Sequence, residues 1–233
     1  MKRGVNMDVS PIIVSMKTAS LSIFITFFLG LFFAKLIIEI KNETVKNILD
    51  GILILPLVLP PTVAGFMILY IFGVRRPIGQ FFLDYFSIKI AFSWGATVLA
   101  AVVMSFPLMY RSARGAFEQV DSNLLYAART LGMSEWKIFW KVMMPVAMPG
   151  VVSGGILAFA RGLGEFGATA MIAGNIAGKT RTIPLAVYSA VAAGDMDTAG
   201  NYVIIIMALA FLIILSMNYF IPGRIYSHRR KYK

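Results

Sequence analysis

Apolar residues fill five long stretches of this chain, and charges punctuate them. Read between flanking charges, the uncharged runs are Thr18–Ala34 (17 residues), Gly51–Val74 (24), Ile90–Tyr110 (21), Val142–Ala160 (19) and Thr198–Gly223 (26). A helix needs about 20 apolar residues to cross roughly 30 Å of hydrocarbon, so the pattern predicts an all-α membrane protein with about five transmembrane helices. Lys17 and Lys35 can snorkel at the ends of the first run, and the fourth run continues past Arg161 and Glu165. The spans are then about 15–38, 51–73, 90–111, 146–173 and 200–222. They make a membrane domain over 15–222, after an N-terminal segment 1–14 and before a basic tail 223–233. Lys2 and Arg3 ahead of an apolar run also fit a cleavable signal peptide. Asp8, Pro11 and Lys17 interrupt that approach and no small-x-small site closes the run, which argues against it.

Composition sharpens this. Of 233 residues, 58% are apolar and 14% charged, where soluble domains carry about 25% charged residues, and mean hydropathy is +0.77. The net charge of +11 would otherwise suggest nucleic acid, but the 22 Lys and Arg sit mainly between apolar runs and form no long run interleaved with aromatics. A nucleic-acid partner is therefore not expected; a lipid bilayer is. With five spans, 13 basic residues fall on the face carrying the C-terminus and 8 on the other. The positive-inside rule then puts the C-terminus in the cytoplasm and residues 1–14 outside. Cysteine is absent and the single histidine, His228, lies in the tail, so no Cys- or His-based metal site is expected.

The cytoplasmic segment from Arg111 to Pro145 is too regular for a slack loop. Asp121 or Ser122 can cap a helix carrying Leu124, Leu125, Ala128 and Leu131 on one stripe. Gly132 ends it, and Ser134 can cap a second helix running to Pro145. The result is a protruding knuckle over 121–137. Ala127 and Ala128 let another surface approach its backbone closely, as suits a helix docked in a partner's groove. A membrane-surface helix anchored by Trp136 and Trp140 fits the same spacing.

Two spans are unusual. In the second, Pro56, Pro60 and Pro61 remove backbone donors near mid-membrane. A broken helix there is tolerated where freed carbonyls face protein or a watery path, so Pro60, Pro61, Thr62 and Gly65, with Thr169 from the fourth span, are candidates to line a conduit or gate; a packed structural kink is the other reading. In the fourth, Gly150, Gly154, Ala158 and Gly162 recur every four residues as a stripe for close helix packing. Arg161 and Glu165 follow one turn apart and can neutralise each other in the membrane, either beside a path or as a purely structural pair.

Ala173–Thr180 looks like a phosphate-cradling G-x-x-x-x-G-K-[ST] loop, but Ala173 stands where glycine is needed, no strand is expected before it, and the topology puts it outside. Thr180–Gly194 is an outer segment with room for a short helix starting near Pro184. Asp195 and Asp197 fit a solvated loop better than a metal site. No nucleophile has a base placed by any recognisable motif, so no catalytic residue is expected.

Ala127-Ala128-x-x-x-Gly132, with Phe139 and Pro145 after it, resembles the E-A-A-x-x-x-G loop of ATP-binding-cassette (ABC) importer permeases. Tyr126 replaces the glutamate and Met144 the leucine of that pattern. Pro56-Leu-Val-Leu-Pro-Pro-Thr-Val-Ala-Gly65, Phe92-Ser-Trp94, Met104-Ser-Phe-Pro107, Phe159-Ala-Arg-Gly-Leu-Gly-Glu-Phe-Gly-Ala168 and Thr180-Arg-Thr-Ile-Pro184 occur in one order over about residues 15–220. Together they resemble the molybdate group of type I ABC importer permeases, with part of the text shared by sulfate permeases.

The resemblance implies a type I importer permease fold with a coupling helix at 121–137. It implies a second copy of the chain, two cytoplasmic ABC ATPase subunits and an extracytoplasmic molybdate-binding protein as partners. No cofactor is implied in this chain, because ATP and magnesium belong to the partner ATPase. Leu124, Leu125, Ala127, Ala128, Leu131 and Gly132 would carry the coupling. Tungstate, sulfate and thiosulfate are alternative cargoes. A secondary transporter or channel working without an ATPase is a rival, which should show an internal repeat or several intramembrane carboxylates; Glu165 stands alone. A membrane enzyme would need a cluster of His, Asp or Cys that the sequence lacks.

Overall fold

A computed structural model describes residues 7–220. Its elements are helices α1 (Ser10–Glu39), α2 (Glu43–Val58), α3 (Pro61–Phe72), α4 (Pro77–Phe86), α5 (Trp94–Glu118), α6 (Ser122–Thr130), α7 (Glu135–Ile138), α8 (Met144–Leu163), α9 (Gly167–Ala173), α10 (Ile183–Ala192) and α11 (Met196–Phe220), with no strand among the described residues. Four helical stretches are long and apolar enough to cross a membrane, and there are five if the bent pair α2–α3 is counted as one span. The tail with His228 lies outside the described residues.

α1, α5 and α8 form the centre. Leu31, Ala34, Met109, Ala113, Phe117, Ala147, Val151 and Ala158 are buried together there. Small residues decide how closely these helices approach. A Cβ added to Gly30 would meet the Met109 side chain at 2.5 Å, one on Gly150 would meet Ala116 at 2.7 Å, and one on Gly154 would meet Ser112 at 2.4 Å. Hydroxyls hold α1 to α5: Thr18 and Thr97 are 2.9 Å apart, Thr26 and Ser105 are 3.1 Å apart, and the Trp94 indole donates to Thr18. Lipid offers helices no hydrophobic drive to associate, so close contact and interhelical hydrogen bonds do that work.

α1 starts earlier than the uncharged run, at Ser10, because the Asp8 carboxylate accepts from the Ser10 amide and Pro11 occupies the first turn, where a missing N–H is harmless. α5 outlasts its run at the other end and reaches Glu118. The second span differs more. Its helix begins at Glu43, where the Asn42 side chain accepts from the Thr44 and Val45 amides, and it bends by 112° between α2 and α3. The cause is two consecutive prolines. A residue before proline is driven out of the helical region, and both Leu59 (ψ 141°) and Pro60 (ψ 135°) are extended. One proline would kink the rod; this pair turns it.

The fourth span is also interrupted. α8 ends at Leu163, and Gly164–Phe166 separates it from α9. The second arm of the knuckle is no separate helix ending at Pro145. A π-helical turn at Phe139–Met143, closed by the Met144 amide donating to the Phe139 carbonyl, joins α7 to α8. Shifting the bonding register just ahead of Pro145 lets the chain absorb that missing donor without breaking.

Candidate functional site

The knuckle stands between the end of α5 and the start of α8. Asp121 accepts from the Asn123 amide and starts α6; Ser134, the other capping residue expected, makes no side-chain cap. Gly132 takes a φ of +73°, open to glycine at no steric cost, and the Met133 amide closes the turn on the Ala128 carbonyl. Arg129 and Glu135 then tie the two arms together through a two-point ion pair, Nε–Oε1 at 2.7 Å and Nη2–Oε2 at 3.1 Å. At the base, the Lys35 ammonium from α1 sits over the Trp136 and Phe139 rings, 5.2 and 4.7 Å from their centroids.

The expected apolar stripe is divided between two faces. Ala128 is only 5% exposed and is turned to its own chain, with Leu125 half-buried beside it, whereas Leu124, Tyr126, Ala127 and Leu131 are exposed. This corrects the expectation that Ala128 lies on the open face. The arm is too short to bury a full stripe, so its inner residues seat it and its outer ones stand clear.

Beside the knuckle lies a charge cluster that the sequence pattern did not single out. Asp50 of α2 accepts from the Tyr110 hydroxyl at 2.6 Å and pairs with Arg114, which also donates to Glu118 at 2.8 Å; Lys46 lies 4.0 Å from Glu118. The available signal was Asp50 itself, a carboxylate at the edge of an apolar run. A charge in that position needs a partner.

At the other break, Glu165 is 2% exposed and uses both oxygens. Oε2 takes Arg161 Nη1 at 2.5 Å, and Oε1 accepts from the Ala168 amide at 2.8 Å in the first turn of α9. The carboxylate therefore ties the end of α8 to the start of α9. The amide contact was not anticipated, because it exists only once the helix has broken. Gly162 sits at this level against Ser22 of α1, and Ala158 below it is buried.

α3 and α9 cross with almost no space between them. A Cβ on Gly65 would lie 2.6 Å from the Ala168 Cα, and one on Gly167 would lie 2.9 Å from the Pro61 Cβ. The two broken spans thus meet at their breaks. Of the expected lining, Pro60, Pro61 and Thr62 are exposed, while Gly65 and Thr169 are buried in the crossing. Thr62 and Thr169 do not share an open surface. On the far side, the loop that mimics a phosphate cradle is closed on itself: Thr180 Oγ1 accepts from the Ile176 amide, and Arg181 donates to Asn175. Asp195 caps α11, and its hydrogen bonds with Thr198 hold its carboxyl below the usual range.

The chain's relatives fit this geometry. Residues 26–229 match the family model described as binding-protein-dependent transport system inner membrane component. The molybdenum transport system permease protein ModB of Escherichia coli K12 is 46% identical over 205 residues, 88% of this chain and 89% of that protein. The putative molybdenum transport system permease protein YvgM of Bacillus subtilis is 44% identical, covering 72% of this chain and 74% of its own length. Among solved structures, an inward-facing MetNI methionine ABC transporter superposes with a TM-score of 0.73 at 17% identity, over 93% of this chain and 95% of that one. With an all-α fold of four to five spans and a knuckle between α5 and α8, the chain belongs to the family of binding-protein-dependent transport system inner membrane components.

Proposed function

We propose that this protein is the permease subunit of an ATP-driven molybdate importer. It is a multi-pass inner-membrane transport subunit, and its family implies an ATPase and a binding protein as partners. The cargo rests on the molybdenum permeases it resembles along most of its length. Two copies of the chain pair in the membrane, with the knuckle and the C-terminus in the cytoplasm. An extracytoplasmic protein delivers the tetrahedral dianion. Two ATPase subunits bind ATP and magnesium, grip the knuckles, and rock the permease halves between outward- and inward-open states. Both ATP and cargo must favour one state energetically, or hydrolysis and transport are not coupled.

In this reading the exposed Leu124, Ala127 and Leu131 touch the ATPase, Leu125 and Ala128 seat the arm, and Gly132 sets its turn. A dianion cannot enter hydrocarbon unaided, so the path runs between the two copies beside the α3–α9 crossing. Pro60, Pro61 and Thr62 line it, and Gly65 and Thr169 are uncovered only when that crossing parts. The Arg161–Glu165 pair and the Gly150–Gly162 stripe keep α8 and α9 in place meanwhile.

The observation that carries the coupling reading is the exposed α6 arm, tied by Arg129–Glu135 to α7, which Lys35 of α1 holds through Trp136. The test is molybdate uptake by proteoliposomes holding permease, ATPase and binding protein. Uptake should require ATP, and Leu131→Asp should reduce it at least about tenfold while leaving insertion intact, as loss of one central contact does at an interface. Uptake by the permease alone, or full activity in Leu131→Asp, overturns the reading. Competition by tungstate and sulfate at the binding protein fixes the cargo.

A further inference from the structure

At the end of α5 opposite the knuckle, the chain between α3 and α5 gathers aromatic and cationic side chains into one site. α4 has ten residues, about 15 Å of helix, too short to cross a bilayer. Its Phe81, Tyr85 and Phe86 are at least half exposed, while Gln80 and Asp84 stand one turn apart on another stripe. Only Gly79 is buried, where an added Cβ would lie 2.1 Å from the Gly73 carbonyl oxygen; α4 therefore lies across the end of α3. A short helix with an aromatic face is suited to the interface between headgroups and acyl chains.

Beside α4 is an open cavity of about 380 Å³ with Phe66, Tyr70 and Phe92 in its wall and three cations, Arg75, Arg76 and Lys89, in the same lining. Two of these groups are held in place. The Arg76 guanidinium lies 3.8 Å over the centre of the Tyr70 ring. Phe92 has a φ of +57°, a left-handed backbone that a bulky residue rarely takes, fixed by its amide donating to the Ile172 carbonyl at 2.9 Å. Among the described residues, none of the three cations has a carboxylate within 4.0 Å.

We propose that this open cavity seats the headgroup end of one anionic phospholipid, with the upper part of an acyl chain against Phe66, Tyr70 and Phe92 and the phosphate on Arg75, Arg76 and Lys89. A small hydrated oxyanion would gain nothing from the aromatic wall. A zwitterionic lipid would gain little net attraction from three positive charges. An anionic lipid satisfies both halves, and α4 brings the site to the depth where its phosphate lies. The inference does not depend on which solute is transported.

The test uses the full-length permease in its purified detergent-solubilised assembly. Native mass spectrometry compares retention of phosphatidylglycerol and phosphatidylcholine with identical acyl chains. The unmodified protein should retain the anionic lipid at least about tenfold better, and the triple variant Arg75→Gln/Arg76→Gln/Lys89→Gln should lose most of that preference, since each basic residue contributes to headgroup attraction. The three side chains are exposed, so the variant should keep its melting temperature. A diazirine-bearing phosphatidylglycerol should label the stretch 66–92, and millimolar inorganic phosphate should not prevent it. No preference in the unmodified protein, an unchanged preference in the triple variant, labelling only elsewhere, or loss of labelling to free phosphate each overturns the proposal.

Discussion

The two interrupted spans break for opposite reasons and are repaired to different degrees. Between α2 and α3, consecutive prolines force Leu59 and Pro60 out of helix; no charge bridges the bend, and none of the residues of α2 is fully buried. Between α8 and α9 there is no proline. Glycines on both sides permit the break, and a buried carboxylate binds Arg161 with one oxygen and the α9 backbone with the other. One break is imposed by missing donors and left open; the other is permitted by small residues and closed by an ion pair. They press on each other where Gly65 meets Ala168. A stitched break thus supplies the wall against which an unstitched one rests, a sensible division where one element must yield and the other hold.

The largest test of this contrast is Glu165→Leu. It strands Arg161 and the Ala168 amide, and removing one partner of a buried pair costs about 3 kcal/mol. Thermal unfolding in detergent should register the loss, and Arg161→Met/Glu165→Leu should recover much of it, since neither charge is then left alone. If the single variant melts like the parent, the staple is idle. Next comes Gly65→Leu, whose side chain would have to displace the α9 backbone; overpacking of this kind costs about 2 kcal/mol. It should also abolish uptake, and near-normal uptake would mean that the crossing is slack. The smallest effect is expected from Pro60→Ala/Pro61→Ala. Stability should fall by about 1 kcal/mol, mostly through a freer unfolded chain. Distances between spin labels on α2 and α3 should broaden strongly; a narrow, unchanged distribution would show that neighbours, not prolines, set the bend.

Much of the fold was legible in the sequence because lipid simplifies the code: apolar runs bounded by charge mark the helices. Asp121 and Gly132 mark the knuckle, and Arg161 with Glu165 one turn later marks a pair. What escaped notice depended on geometry between segments. Pro60 and Pro61 announced a break, but its 112° angle follows from two successive residues leaving the helical region together. Ala128 and Leu131 share a stripe in the pattern, yet packing buries one and exposes the other. The Asp50–Tyr110–Arg114 cluster unites residues 60 and more positions apart, beyond any local pattern. The Phe92 conformation left no trace in composition, since phenylalanine is among the residues least suited to it.

The hydroxyl pairs between α1 and α5 carry a consequence for movement. Thr18 with Thr97 and Thr26 with Ser105 share one sequence separation of 79, so the helices run in the same direction with a constant offset. A slip of one turn, about 5.4 Å, would uncouple both pairs at the same instant. α1 and α5 are in effect a keyed shaft: they can tilt as one piece during a transport cycle, but neither can ratchet lengthwise past the other.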